Sequence, residues 1–154
     1  MDERRDIEIP LDVRPPHLMP GAAEVLSLLR PPLFLWANTR VAGETAVRHW
    51  LKRAGLASTF QSVVTSIEAG ARKPAPEFFQ YTLGRCGVNK EDVLFVGNQL
   101  NTDVAGAQTF GIATVWLSGA SYRSLDDAPC DATPTYAIET LTELPALLHR
   151  LGDP

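Results

Sequence analysis

The sequence has few cysteines, no long apolar run and no excess of positive charge. Only Cys86 and Cys130 are cysteines among 154 residues, which argues against a disulfide framework and a cysteine-based metal motif. No apolar stretch approaches the roughly 20 residues that a membrane span requires. The net charge of −4 argues against nucleic acid or an anionic membrane as the main partner. We therefore expect free thiols and a cytoplasmic location.

The remaining composition fits one globular domain with a modest core, because 45% of the residues are apolar and 21% are charged. Residues 1–20 are charged and rich in proline, and we interpret them as a separate N-terminal segment. Residues 21–154 are interpreted as a single domain. The three histidines are scattered, so they form no constellation for metal or triad chemistry.

Apolar runs alternate with amphipathic segments along the predicted domain. Strands are predicted at residues 33–37, 62–65, 93–96, 112–117 and 135–138. Helices are predicted at residues 21–29, 43–54, 77–86, 102–110 and 141–151, and polar loops at 68–76 and 118–134. Strands that alternate with helices of this length predict an α/β fold, with a mostly parallel sheet covered by helices on both faces.

One of these strands ends in a glycine that is followed by a polar turn. Residues 93–107 read VLFVGNQLNTDVAGA, so the apolar run ends at Gly97 and Asn98, and Asp103 lies where a helix begins. The carboxyl ends of parallel strands bring together backbone N–H groups and helix starts that can hold an anion. The residues alone therefore predict a ligand site at this strand end.

Four stretches resemble, in order, the characteristic segments of the haloacid dehalogenase (HAD) superfamily of phosphohydrolases. They are the proline–glycine helix entry at 19–26, the apolar strand with its asparagine at 33–39, the Lys-Pro-x-Pro-x-x-Phe segment within 70–79, and the glycine turn at 93–107. The resemblance covers roughly residues 20–150. It implies a Rossmannoid three-layer α/β/α domain and a phosphatase-type hydrolase.

The same resemblance assigns roles to four residues. Lys73 corresponds to the lysine that neutralises a transferring phosphate or braces a carboxylate, and Asp103 to the carboxylate that supports this lysine and its loop. Asn38 and Thr39 are predicted to offer backbone N–H groups to phosphate. The Thr39 hydroxyl is either a further phosphate contact or a local turn cap.

Two positions depart from the family pattern. Ala37 stands where the family has a serine or threonine hydroxyl. Asn98 stands where the family has an aspartate that binds Mg²⁺, and an amide oxygen is a weaker ligand for a hard dication. We therefore expect a metal site at Asn98 and Asp103 to be weak or absent, with no cofactor unless the chain is active, in which case Mg²⁺ is the cofactor.

The Asp-x-Asp-x-Thr segment that supplies the family's nucleophile and acid/base does not occur in the sequence. In the family its strand lies at the centre of the sheet, between the strands that end near Ala37 and Gly97. The resemblance suggests a chain that begins at about the end of the family's cap insertion. Three arrangements could fill the gap: residues 7–13, a strand from a protein partner or from self-association, or direct pairing of the two flanking strands.

The leading hypothesis is a pseudoenzyme: a HAD-like hydrolase fold with an incomplete catalytic set, inactive or weakly active alone, that acts as a binding or regulatory module. The first alternative is a phosphohydrolase completed by an Asp-x-Asp strand from a partner chain. The second is a truncated gene product. A small phosphate or another anion is the expected ligand in the first two cases.

Overall fold

The computed structural model describes residues 16–120 and 131–152, which form five strands and six helices. The strands are β1 (Phe34–Ala37), β2 (Ser62–Thr65), β3 (Leu94–Gly97), β4 (Ala113–Leu117) and β5 (Tyr136–Ile138). The helices are α1 (Ala22–Leu28), α2 (Glu44–Arg53), α3 (Ser66–Ala69), α4 (Pro76–Cys86), α5 (Ala105–Phe110) and α6 (Leu144–Arg150). The predicted alternation of strands and helices is confirmed. Residues 7–13 and most of the predicted loop at 118–134 lie outside the described residues.

Helix α4 begins and ends where its sequence predicts. Pro76 occupies the first turn, where its missing N–H removes no hydrogen bond. Gly87 follows the last turn with a φ of 68°, a left-handed conformation that favours glycine. The helix buries Phe78, Phe79 and Leu83 against the strands. Its start lies three residues after Lys73, so this packing also positions the lysine loop.

Helix α3 is a correction to the predicted polar loop at 68–76, because Ser66–Ala69 is helical. Thr65 and Glu68 form a reciprocal capping box at its start. Partial burial raises the pKa of Glu68, but hydrogen bonds from the Thr65 hydroxyl and from the N–H groups of Glu44 and Thr65 outweigh it, so the pKa lies below its ordinary value. Glu68 thereby joins the end of β2 to the start of α2.

The strands form two separate parallel sheets, one in the order β1–β2 and one in the order β3–β4–β5. Within the described residues β1 and β3 do not pair with each other, so direct pairing of the flanking strands, one of the three arrangements considered above, is wrong. A cavity of about 610 Å³ is lined by both strands. We call this cavity the interstrand slot.

Within the described ranges, side chains rather than backbone pairing connect the two sheets. On one face of the slot, Trp36 of β1 and Phe95 of β3 lie 5.5 Å apart between ring centroids, and Phe79 of α4 contacts both rings. On another side, Val25 of α1 packs with the β3–β4–β5 sheet, and Leu26 packs with the β1–β2 sheet. Among the described residues no helix is long and apolar enough to cross a membrane.

Candidate functional site

The centre of the candidate site is a buried ion pair between Lys73 and Asp103. Lys73 Nζ lies 2.7 Å from Asp103 Oδ1, and the two side chains are 9% and 8% exposed. The ammonium also donates to the Trp36 carbonyl oxygen at 3.3 Å and lies 5.3 Å from the centroid of the Phe95 ring. The loop before α4, the carboxyl end of β1 and the turn after β3 therefore meet at this lysine.

The second carboxylate oxygen of Asp103 organises the turn after β3. Asp103 Oδ2 accepts hydrogen bonds from the N–H groups of Asn98 at 3.2 Å and Gln99 at 3.1 Å. A side chain at Gly97 has no room here, because its Cβ would lie 2.4 Å from the Cβ of Asp103. Gly97 is therefore required by the close approach of the carboxylate to the strand end.

Asp103 reaches this position through a π-helical turn. The sequence predicts an ordinary helix over residues 102–110, whereas Leu100–Val104 forms a π turn and α5 begins only at Ala105. Such single π turns occur frequently at functional sites. The wider turn accompanies the inward position of Asp103, which is 6% exposed.

Asn38 clamps the backbone of Lys73. Its Nδ2 donates to the Lys73 carbonyl oxygen at 2.9 Å, and its Oδ1 accepts from the Lys73 N–H at 2.8 Å. Both ends of the Asn38 amide are thus engaged in holding the lysine loop against the end of β1. The predicted contact of Asn38 with phosphate stays a prediction, and the observed role of its side chain is to position Lys73.

Thr39 is held in a local turn. Its hydroxyl donates to the Ala42 carbonyl oxygen at 2.6 Å, and its backbone N–H donates to Ser66 Oγ at 2.9 Å. Ser66 and Arg72 in turn donate to the Thr39 carbonyl oxygen, each at 2.6 Å. The sequence reasoning missed Ser66, although its place directly after β2 at the same sheet edge is the signal that could have found it.

The residues that the structure describes around Asp103 do not fit a Mg²⁺ site. Both Asp103 oxygens accept hydrogen bonds from Lys73 or from backbone N–H groups, and Asn98 Nδ2 donates to the Ala120 carbonyl oxygen at 3.0 Å. Among the described residues no three His, Cys, Asp or Glu side chains lie close enough to hold a metal ion. Mg²⁺ favours octahedral oxygen coordination that includes at least one free carboxylate.

We expect Mg²⁺ to bind this chain with a dissociation constant no tighter than about 1 mM, because sites with few charged ligands bind at the weak end of the range. Isothermal titration calorimetry with MgCl₂ measures this constant. Binding clearly tighter than that, lost in Asp103→Asn and kept in the exposed control Glu91→Ala, would contradict the expectation.

The interstrand slot reaches Trp36 and Asn98, which both hydrogen-bond to the ion pair. Its lining includes residues of β1 and β3, which do not pair with each other within residues 16–120 and 131–152, and extends from Met19 to Gly97 and Asn98 at the strand end. Among its apolar lining residues are Ala22, Val25, Leu26, Leu29, Phe34, Leu35, Trp36, Leu94, Phe95, Val96, Leu117, Leu141 and Leu144. The cavity is therefore largely apolar, and Trp36 and Asn98 of its lining are the residues that hydrogen-bond to the Lys73–Asp103 pair.

The chain is similar to several known phosphatases. Over 107 residues it is 34% identical to the glyceraldehyde 3-phosphate phosphatase of Methanocaldococcus jannaschii, which covers 68% of this chain and 46% of that protein. Over 105 residues it is 34% identical to human N-acylneuraminate-9-phosphatase, which covers 68% of this chain and 41% of that protein. The chain thus spans about half the length of the curated relatives it matches.

Solved structures show the same fold. A HAD phosphatase from Thermococcus onnurineus is 31% identical, with a TM-score of 0.68 over 85% of this chain and 58% of that one. A protein from Listeria monocytogenes serotype 4b shares the fold with a TM-score of 0.79 over 96% of this chain and 88% of that one. A sequence profile of the haloacid dehalogenase-like hydrolases matches residues 4–111. This chain belongs to the haloacid dehalogenase-like hydrolase family.

Proposed function

We propose that this chain is a phosphate-site scaffold of the HAD phosphatase type that does not hydrolyse phosphate monoesters by itself and acts as a binding or regulatory module. The observation that carries the proposal is the state of Asp103, whose two oxygens are both engaged by Lys73, Asn98 and Gln99. These contacts give Asp103 the role of holding Lys73 and the turn after β3, and the family's Asp-x-Asp-x-Thr segment, which supplies the nucleophile, does not occur in the sequence.

Ala37 adds a second reason. It is the last residue of β1, directly before the Asn38 clamp, and it offers no hydroxyl to a phosphoryl oxygen. Positioned donors around the developing charge are usually the largest electrostatic contribution to a transition state. With this donor and the Asp-x-Asp-x-Thr segment both missing, we propose that the part of the site that the structure describes positions a lysine without supplying a group that attacks phosphorus.

The ligand that this arrangement favours is a small anion such as phosphate. An ammonium group has three N–H donors, and Lys73 uses one for Asp103 and one for the Trp36 carbonyl oxygen. The third is left for an oxyanion beside the carboxyl end of β1. Because Asp103 neutralises most of the lysine charge, we propose that this binding is weak. A cytoplasmic location, where phosphorylated metabolites occur, is part of the same proposal.

We expect inorganic phosphate to bind with a dissociation constant of about 1 mM or weaker, which corresponds to about −4 kcal/mol. An NMR titration of the full chain with sodium phosphate should shift the amide signals of Lys73, Asn98 and Gln99. The shifts should disappear in Lys73→Met and persist in Lys52→Met, a change of an exposed lysine on α2. Phosphate shifts that survive Lys73→Met, or no shifts at these amides, would contradict the proposed ligand site.

A second candidate function is favoured by the interstrand slot. The cavity lies between two strands whose carboxyl ends meet at Lys73, which is where a strand carrying carboxylates would bring them next to the ammonium. In this case the chain is one part of a phosphohydrolase, and a second polypeptide supplies the Asp-x-Asp strand. The third hypothesis, a truncated gene product with no function, gains no support from the preserved Lys73–Asp103 geometry.

A further inference from the structure

Two side chains at the carboxyl edge of the β1–β2 sheet each hold the backbone of another residue at two points. Asn38 binds both the N–H and the carbonyl oxygen of Lys73. Ser66 does the same to Thr39, because its Oγ accepts the Thr39 N–H at 2.9 Å and donates to the Thr39 carbonyl oxygen at 2.6 Å. A hydroxyl has one donor and two acceptor sites, so a single serine can hold both groups. The two clamps are consecutive, since Asn38 directly precedes Thr39.

The Ser66 hydroxyl has a fixed position of its own. Ser66 is 6% exposed and is the first residue of α3, directly after Thr65. Thr65 pairs with Ala37 in the parallel register of β1 and β2, and together with Glu68 it forms the capping box of α3. A strand pair and a helix cap therefore place the hydroxyl beside the chain that follows β1.

The contact with Thr39 constrains Asn38. The Thr39 N–H belongs to the planar peptide unit that joins Asn38 to Thr39, so a hydrogen bond at this N–H fixes the orientation of that unit. The same unit sets the backbone from which the Asn38 side chain projects. Arg72 also donates to the Thr39 carbonyl oxygen, at 2.6 Å, but that oxygen belongs to the next peptide unit. Loss of the Ser66 hydroxyl would thus release the Thr39 N–H while the Arg72 contact persists.

The series of contacts continues from Asn38 to the buried ion pair. The Asn38 amide holds the backbone of Lys73, and Lys73 Nζ lies 2.7 Å from Asp103 Oδ1. We propose that Ser66 is a positioning residue of the candidate phosphate site. By holding Thr39 it orients Asn38, and Asn38 then holds the lysine loop so that the ammonium faces its carboxylate. The consequence for phosphate rests on the proposed function, whereas the effect on the Lys73 backbone requires no bound ligand.

Amide hydrogen exchange, measured by NMR on the full chain carrying Ser66→Ala, tests this series of contacts. The Thr39 amide should exchange faster by about tenfold or more because it loses its acceptor, and the Lys73 amide by about threefold or more because Asn38 loosens. The Val115 amide in β4 should stay within about twofold of its rate in the unmodified chain. Faster exchange at Thr39 without Lys73 would confine Ser66 to its own contact, and equal acceleration of all three amides would make it a general stabiliser. Either result would overturn the proposal.

Two matched variants separate the hydroxyl from the rest of the side chain. Ser66→Thr keeps the hydroxyl and should return the exchange rate of the Lys73 amide to within about twofold of the unmodified chain. Ser62→Ala removes a hydroxyl at the amino end of the same strand, β2, and should leave the Thr39 and Lys73 amides unchanged. A folded Ser66→Thr chain that exchanges like Ser66→Ala, or a Ser62→Ala chain with the same acceleration, would contradict the role of the Ser66 hydroxyl.

The unmodified chain decides the question if Ser66→Ala does not fold. Its Thr39 and Lys73 amides should each exchange more slowly than in an unstructured peptide, by about tenfold or more, and unprotected amides would overturn the proposal.

Titration with sodium phosphate, followed by NMR, measures the consequence for the site. Ser66→Ala should weaken phosphate binding by about threefold or more, and Ser62→Ala should leave the dissociation constant within about twofold. Phosphate bound equally well by the Ser66→Ala and unmodified chains would overturn the positioning role. If the unmodified chain binds no phosphate, the proposed function fails, and the exchange rates of Thr39 and Lys73 still decide whether Ser66 positions the lysine loop.

Discussion

Asp103→Ala is expected to lower the free energy of unfolding by about 3–5 kcal/mol, because it leaves the buried Lys73 ammonium without its counter-charge. The carboxylate is 8% exposed and lies 2.7 Å from Lys73 Nζ. The substitution also orphans the N–H groups of Asn98 and Gln99, which both donate to Oδ2. Urea unfolding followed by circular dichroism measures the loss.

The exposed control Glu91→Ala should change the unfolding free energy by no more than about 0.5 kcal/mol. The double variant Lys73→Met/Asp103→Ala should lose less unfolding free energy than the two single variants lose in sum, because it leaves neither charge buried without its partner. A loss below about 1 kcal/mol for Asp103→Ala, or strict additivity of the two changes, would show that the ion pair does not organise the site.

Phe79→Ala is expected to cost about 3–5 kcal/mol, the range for truncating a fully buried aromatic side chain. Phe79 is 0% exposed, and its ring contacts Trp36 of β1, Phe95 of β3 and Phe110 of α5. Since β1 and β3 do not pair with each other in the part of the chain that the structure describes, the contacts of this ring link the two sheets through side chains. The cavity left behind should therefore destabilise both sheets.

Tyr81→Ala on the same helix is the matched control, because Tyr81 is 39% exposed and should contribute much less. Urea unfolding gives the two free energies, and hydrogen exchange shows where the structure loosens. We expect faster exchange in β1 and β3 for Phe79→Ala and no change in either strand for Tyr81→Ala. Equal losses for the two variants would contradict the role of Phe79 as a link between the sheets.

The fold was largely predictable because its signals are local. The continuous apolar runs of β1 and β3 and the Gly87 stop of α4 are each read from a few adjacent residues. The short helix α3 was missed, although Thr65 and Glu68 have the spacing of a capping box. The polar composition of residues 68–76 favours a loop, although the capping-box residues that begin a helix are present in the sequence.

The candidate site was predictable only in part, because its contacts join distant residues. The sequence predicts that Lys73 and Asp103 lie at neighbouring strand ends. The structure shows that Lys73 Nζ lies 2.7 Å from Asp103 Oδ1, although the two residues are 30 positions apart in the sequence. The sequence predicts a phosphate contact for the backbone N–H of Asn38, but it does not predict that the Asn38 side-chain amide binds the backbone of Lys73, 35 positions away. The catalytic roles of Lys73 and Asp103 and the phosphate contact of Asn38 stay predictions. Local patterns do not reveal which polar group takes which partner across such separations.

Hydrolysis of para-nitrophenyl phosphate by the purified chain, in the presence of Mg²⁺, tests the central claim most directly. The claim is that the chain holds the lysine end of a HAD-type phosphate site without a group that can attack phosphorus. We predict no release of nitrophenol above a protein-free blank, and the same result for Lys73→Met. Mg²⁺-dependent turnover by the chain alone, lost in Lys73→Met and retained in Lys52→Met, would contradict it.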